Sequence, residues 1–264
     1  MRIVTFIKQV PASTSVEINP ETGTLIRGKE KGKLNPFDLF AIETALWLAS
    51  QIGGEVIALS MGPLAAEDTL KEAIYMGVDD AYLISDMAFA GSDVLATSKT
   101  LAEAVKVIGR FDLIICGKQT TDGDTAQVGA ETAEWLNIPH INNVVEIKEC
   151  QNDGITVVVE TEHELSTIYL PLPCLISVDK DINTPRLPSY LRKKSYLESE
   201  KTIKILTLND LEDKDSDGYG MNGSPTRVVR IFEPDETTKS ERIEGTPDEI
   251  ASALFTALNQ ERLI

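Results

Sequence analysis

Between Arg2 and Leu136 short apolar runs alternate with amphipathic stretches, and few folds accommodate that rhythm. Arg2 to Ile7, Glu55 to Leu59, Ala81 to Ile84 and Phe111 to Cys116 read as buried strands. Between and after them, Leu39, Ile42, Leu46 and Ala49, then Leu70, Ala73, Ile74 and Gly77, then Leu101, Val105 and Ile108, and finally Val128, Thr132, Trp135 and Leu136 fall on helical faces. Repeated β-then-α units with moderate loops imply a parallel sheet joined by right-handed crossovers.

The turn after the fourth strand, Gly117-Lys118-Gln119-Thr120-Thr121-Asp122-Gly123-Asp124-Thr125-Ala126-Gln127-Val128-Gly129, is the richest in chemistry. Asp124 is placed as the N-cap of the next helix, with Gln127 completing a capping box. Strand, glycine-bearing turn and helix N-terminus together offer backbone N–H groups and a positive dipole end to a phosphate. In open parallel sheets ligands bind beyond the carboxyl ends of the strands, where this turn lies. Asp122 and Asp124 would repel a phosphate, so they cap the helix or bond ribose hydroxyls. An ordinary capped connection without a ligand is the plainer alternative.

Ser15 to Gly28 alternates weakly and reads as a surface hairpin. Leu34-Asn35-Pro36-Phe37-Asp38 leads into the first helix, with Asn35 held extended by the proline after it. Gly91-Ser92-Asp93-Val94-Leu95-Ala96-Thr97-Ser98 opens another helix, which Ser92 or Asp93 can cap. After Pro139 the pattern turns β-rich: Ile155 to Thr161 and Ser166 to Leu170 suit an antiparallel hairpin, and Cys174 to Val178 another strand. Asn183 to Lys194 is a proline-bearing loop ending in Arg192, Lys193 and Lys194. Asn209 to Ser224 is acidic and glycine-rich, expected to be irregular or mobile. Thr246-Pro247-Asp248-Glu249 is a capping box with proline at N1, and Ile250, Leu254 and Leu258 stripe the final helix. The expected fold is α/β: a Rossmann-like doubly wound, mostly parallel sheet with an added antiparallel hairpin and a C-terminal arm ending in a helix.

With 264 residues, 42% hydrophobic and 25% charged, the composition is that of a soluble globular protein. No apolar run approaches the roughly 20 residues of a membrane span, and the N-terminus reads as a strand, not a signal peptide. A net charge of −17 argues against nucleic acid or an anionic membrane as partner. Cys116, Cys150 and Cys174 are widely spaced, and neither His140 nor His163 has metal-ligand spacing around it, so reduced thiols and no metal are expected. The expected location is the cytoplasm.

Val10-Pro11 closing the first strand, Leu34 to Asp38, Met61-Gly62-Pro63, Gly117-Lys118-Gln119 and Asp122 to Gly129 occur in an order that resembles the β subunit of electron-transfer flavoproteins. The resemblance covers residues 1–195 and fades beyond. It implies a nucleotide (FAD)-binding α/β domain over 1–195, including a partner-recognition loop at 183–194, and over 196–264 an arm and helix that pack on a partner α subunit. In the simple branch of that family the β subunit holds AMP; in the electron-bifurcating branch it holds FAD and accepts hydride from NADH. The implied nucleotide contacts are Phe6, Asn35, Pro36, Phe37, Asp38, Met61, Thr120, Thr121, Asp122, Gly123, Asp124, Thr125, Ala126, Gln127, Val128 and Gly129. Gly91, Ser92, Asp93, Val94, Leu95, Ala96 and Thr97 resemble the bifurcating branch's NAD-site segment.

The basic loop matches the family's recognition loop for acyl-CoA dehydrogenases, giving Pro185, Arg186, Tyr190 and Leu191 as contacts; Tyr190 stands where leucine is frequent. The bifurcating reading sends one electron to ferredoxin or flavodoxin and the other through the α-subunit FAD to an acyl-CoA or enoyl-CoA dehydrogenase. Such a subunit contributes no acid, base or nucleophile; it positions and tunes a cofactor. The rivals are a simple carrier holding AMP and a non-redox adenine-nucleotide sensor of the universal-stress type. An ATP-pyrophosphatase would need a Ser-Gly-Gly-x-Asp-Ser turn, which is absent.

Overall fold

The computed structural model describes residues 1–12, 32–229 and 242–264, with the backbone of 17–18 and 25–26. Strands β1 (Arg2–Phe6), β2 (Gln9–Pro11), β3 (Glu17–Ile18), β4 (Leu25–Ile26) and β5 (Gly32–Leu34) precede helix α1 (Pro36–Ile52). Then follow β6 (Glu55–Met61), α2 (Glu67–Met76), β7 (Asp80–Ile84), α3 (Val94–Ile108), β8 (Leu113–Gly117) and α4 (Val128–Leu136). The remainder comprises β9 (His140–Cys150), β10 (Gly154–Glu160), β11 (Leu165–Pro171), β12 (Cys174–Val178), α5 (Tyr190–Glu198), β13 (Lys204–Leu206) and α6 (Pro247–Gln260).

A 9-stranded sheet runs in the order β11-β10-β9-β12-β8-β1-β6-β7-β13. Every pairing from β9 across to β13 is parallel, and β10 and β11 add an antiparallel hairpin at one edge. From β1 the chain winds outward through β6 and β7, then recrosses by way of α3 to β8 on the other side of β1. The β1–β8 boundary is therefore the topological switch point, the place where ligands of open doubly wound sheets bind.

Successive strand residues point to opposite faces, and both faces are covered. Ile3, Val56, Ala58, Leu83 and Ile115 pack with Ile42, Ala45, Leu48, Leu70 and Ala73 of α1 and α2. Val4, Phe6, Ile57, Leu59 and Ile114 pack with Leu101, Val105 and Ala133 of α3 and α4. Burial on both faces explains why these strands read as continuous apolar runs.

The sequence reading departs from the structure in several places. β9, whose residues are mostly half-buried or exposed, carries too little apolar signal to be read as a strand. The basic loop becomes helix α5 from Tyr190 on, capped by the Ser189 hydroxyl on the Arg192 N–H. No α5 residue is buried, so no periodicity marks it. β3 pairs antiparallel with β4, and the rest of that expected hairpin lies outside the described residues. β13 extends the sheet beside β7.

Asn209 to Ser224 is irregular apart from two short 3-10 turns, as one of the two expected alternatives had it, and it is packed down on the core rather than free. Leu211 and Tyr219 are each 1% exposed, buried on the α3–α4 face. The Tyr219 ring meets Phe89 edge-on at 5.5 Å, its hydroxyl donates to the Asp213 carbonyl at 2.7 Å, and Lys99 Nζ lies 4.5 Å over it. α6 bears its expected capping box, Thr246 with Glu249.

Truncating Tyr219 to alanine should therefore cost about 3–5 kcal/mol, the range for buried aromatics. Urea unfolding of the full chain checks this; a cost near zero would restore the mobile arm.

Candidate functional site

The junction at the switch point is built around a buried polar pair. Pro36 opens α1 where no backbone donor is lost, and Asn35 sits just before it, fully buried. The Asn35 side-chain amide donates to Asp38 Oδ1 and to the Gln119 carbonyl, both at 2.9 Å, and its Oδ1 accepts the Thr121 N–H at 3.3 Å. Asp38 Oδ2 accepts the Lys8 N–H at 2.8 Å, and the Asn35 N–H donates to the Lys8 carbonyl at 2.9 Å. One asparagine and one aspartate thus tie the chain leaving β1, the start of α1 and the chain leaving β8.

Gly117 completes the junction, because a Cβ there would stand 2.6 Å from Asp38 Oδ1 and 2.7 Å from the Phe37 carbonyl carbon. Burial pushes the Asp38 carboxyl up to about 7, against the opposing pull of Asn35, the Lys8 amide and charge, and the Gly117 backbone. At the neighbouring strand ends Lys118 Nζ pairs with Asp179 at 2.7 Å. Burial opposes ionisation of Asp179, but the Lys118 hydrogen bond, the Lys180 N–H and the charges of both lysines together outweigh it and hold that carboxyl below the usual range.

Beyond this junction the loop is exposed from Thr121 to Gln127. Asp124 and Ala126 adopt left-handed backbone conformations, with φ of 54° and 55°. That overturns the expected cap. Asp124 instead accepts a hydrogen bond from the Gln119 side chain, and the N-cap position falls to Gln127, which makes no side-chain cap bond. Asp122 pairs with Lys8 Nζ at 2.7 Å. Both carboxylates are thus turned onto their own chain, and the helix N-terminus keeps its dipole end uncapped. Gly129 lets that end approach β8, since a Cβ there would lie 2.8 Å from Cys116 Sγ.

Phe6, Met61 and Val128 belong to the cluster on the α3–α4 face, and Asn35 meets Gln119 and Thr121 from the other face. Phe6 and Met61 stand at the carboxyl ends of β1 and β6, Asn35 to Asp38 at the start of α1, and Thr120 to Gly129 follows β8, so the four stretches share the carboxyl edge of the sheet. Lys8 and Gly117, which the sequence reading did not single out as contacts, join them. Lys8 carries no local signal; Gly117 could have been flagged as the glycine ending a buried strand.

The segment from Gly91 to Thr97 lies at the N-terminus of α3. Asp93 caps it, Oδ1 accepting the Ala96 N–H at 3.1 Å, while Ser92 donates to the Phe89 carbonyl. Gly91 has φ +75°, and a Cβ there would lie 3.2 Å from Met221 Cε. Val94 and Thr97 are half-buried, Ala96 is buried and Leu95 is exposed. α3 and α4 are neighbours: Ser98 Oγ lies 3.1 Å from Glu131 Oε2 and accepts the Trp135 indole N–H at 3.2 Å.

In the basic loop, Arg186 is turned inward. Its guanidinium grips Glu43 of α1 through two bonds of 2.7 and 2.9 Å, and its backbone N–H adds a third. Burial opposes ionisation of Glu43, but these bonds hold its carboxyl below the ordinary range. Tyr190 and Leu191, with Leu187, stand more than three-quarters exposed, and Pro185 is half-buried.

The electron transfer flavoprotein domain matches residues 22–210. The chain belongs to the electron transfer flavoprotein family, with the β subunits. It is 40% identical over its whole length to the electron transfer flavoprotein subunit beta of Thermoanaerobacterium thermosaccharolyticum, all of which is covered. It is 39% identical to the caffeyl-CoA reductase-Etf complex subunit CarD of Acetobacterium woodii and 38% to the acryloyl-CoA reductase electron transfer subunit gamma of Anaerotignum propionicum, each again covered completely. The likeness thus continues past residue 195, where the sequence reading expected it to fade. Membership assigns the chain an electron-transfer role and sets aside the non-redox sensor. Among the described residues no helix is long and apolar enough to cross a membrane.

Two expectations follow from the junction. Gly117→Ala should lower stability by about 1–3 kcal/mol, because backbone and a buried carboxyl must move; calorimetry checks it. Asp38 has a folded-state value raised from 3.8 to about 7, so the folded chain binds the extra proton between those limits. Its contribution to the stability of the nucleotide-free chain is greatest below pH 4 and declines as pH rises towards 7. In Asp38→Asn that component should vanish, flattening the stability–pH curve in this window, as denaturant titrations at several pH values would show.

Proposed function

We propose that the chain is the FAD-binding β subunit of an electron-bifurcating electron transfer flavoprotein, assembled with an α subunit and working beside a CoA-ester reductase. The observation that carries the nucleotide assignment is the uncapped N-terminus of α4 at the switch point, its loop carboxylates turned away onto Lys8 and Gln119. Amides at that end suit a pyrophosphate. Phe6 and Met61 end neighbouring strands at the same edge of the sheet, and the Asn35–Asp38 pair ties the ends of β1 and β8 in fixed geometry.

The chemistry FAD supplies when bound is acceptance of a hydride and release of its electrons singly. This chain orients it and contributes no proton donor or nucleophile. Support for the bifurcating branch comes from the Gly91 to Thr97 segment, read as the NAD(H) site, and from relatives whose names tie them to CoA-ester reductases. In this reading NADH is the hydride donor, ferredoxin or flavodoxin takes one electron, and the other reaches an acyl-CoA or enoyl-CoA dehydrogenase through the α subunit. The knob of Leu187, Tyr190 and Leu191 is the dehydrogenase-docking surface, and Arg186 fixes its base to α1. The last helix, exposed along Ile250, Leu254 and Phe255, supplies a face for the α subunit.

The assignment is tested by releasing and identifying the nucleotide of the coexpressed complex. One FAD for this subunit besides that of the α subunit is expected; AMP in its place would make the chain a simple carrier.

Tyr190→Ala should weaken dehydrogenase binding by about thirtyfold, an anchor worth about 2 kcal/mol, with flavin content and NADH-dependent dye reduction unchanged. Equal loss of both activities would make α5 structural.

A further inference from the structure

The segment from Leu211 to Thr226 is far more elaborately fixed than a linker to a terminal helix needs. It lies across the N-terminal half of α3 and is held along its length. Lys99 of α3 pairs with Asp213 at 2.8 Å, and Glu103 Oε2 accepts the Asp213 N–H at 3.2 Å. The Tyr219 ring fills the core between them and Phe89. At Gly218 a Cβ would collide with Lys99 Nζ, at Gly220 with the Ala88 carbonyl and at Gly223 with the Gly218 backbone, so those glycines let the strap lie flush. The Met221 N–H donates to the Ala90 carbonyl at 3.0 Å.

The strap ends on Asp93. Ser224 Oγ accepts the Asp93 N–H at 2.8 Å and donates to the Gly220 carbonyl at 2.6 Å. Asp93 Oδ2 accepts from both the Thr226 N–H, at 3.0 Å, and the Thr226 hydroxyl, at 2.8 Å. Oδ1 accepts the Ala96 N–H. A carboxylate offers about four lone-pair sites, and bonds from two segments to its two oxygens fix its orientation at the start of α3. Past Thr226 the chain emerges at Val228 and Val229, 80% and 97% exposed, on its way to α6. In sequence, what fixes the N-cap of α3 runs on towards α6.

We propose that the strap from Tyr219 to Thr226 positions the N-terminus of α3, with Ser224 and Thr226 as positioning residues that aim the Asp93 carboxylate at a nicotinamide nucleotide. The proposal rests on the reading of Gly91 to Thr97 as the NAD(H) site. Thr226 touches no cofactor; it acts through Asp93. Exposed and polar, Thr226 tolerates substitution without loss of core packing.

The test uses the complex with its α subunit and compares Thr226→Val, which keeps the shape and loses the hydroxyl, with Thr226→Ser, which restores it. Amide hydrogen exchange of Val94 to Thr97 reads positioning, and steady-state NADH-dependent dye reduction reads its consequence. Thr226→Val should speed exchange at those amides and raise the KM for NADH about tenfold, the equivalent of one charge-assisted hydrogen bond. kcat, flavin content and reduction by dithionite should hold, and Thr226→Ser should return both readouts to wild type. Unchanged exchange overturns the proposal, and so does faster exchange with an unchanged KM. If NADH fails to reduce the wild-type complex while exchange still responds to Thr226→Val, the strap's hold on α3 stands and the nicotinamide reading is what fails.

Discussion

Everything at the candidate site depends on one buried polar contact, Asn35 with Asp38. A buried polar group without partners is costly, and these two satisfy each other while reaching Lys8, Gln119 and Thr121. The bonds cross from the end of β1 to the end of β8, the neighbours between which the winding reverses. The loops leaving those strands would otherwise be free to drift. Here their bases are fixed, and the exposed loop that follows β8 can keep left-handed turns at Asp124 and Ala126 and an uncapped helix end. That end is the part of the fold most prepared for an anion.

The N-termini of α3 and α4 are treated differently. α4 has no side-chain cap, whereas α3 is capped by Asp93 and bound over by the segment ending at Thr226. The two helices are tied together by Ser98 of α3 with Glu131 and Trp135 of α4. An open end suits a tightly kept cofactor whose phosphates complete the helix. A pre-satisfied end suits a substrate that must come and go, since less is gained on binding. In the proposed reading a hydride donor and its acceptor bind one subunit, so the two ends would have to present them close together.

How much was legible in the sequence follows from where the signals were local. The strands from Ile3 to Cys116 are covered on both faces, so their apolar runs were readable, as was the Thr246–Glu249 capping box. The same capping logic failed at Asp124, because the pattern was right and the backbone was not: φ of 54° takes that residue out of cap geometry, and Gln119 claims its carboxylate. Tyr219 lay in an acidic, glycine-rich stretch whose composition suggested disorder; its burial is decided by Phe89 and Lys99, more than a hundred residues away. β9 and α5 were missed because neither buries a clear face. The site's residue types were visible, but the pairings Lys8–Asp122 and Arg186–Glu43 were not, since nothing in sequence spacing encodes them.

The central claim is that the junction between β1 and β8, tied by Asn35 and Asp38, holds the nucleotide phosphates at the start of α4. A crystal structure of the assembled complex with its native nucleotide tests this most directly. The account places phosphate oxygens within hydrogen-bond distance of the amides between Thr125 and Ala130, with the Asn35–Asp38 bond intact. A nucleotide bound elsewhere on this subunit, with those amides left to solvent, would contradict it.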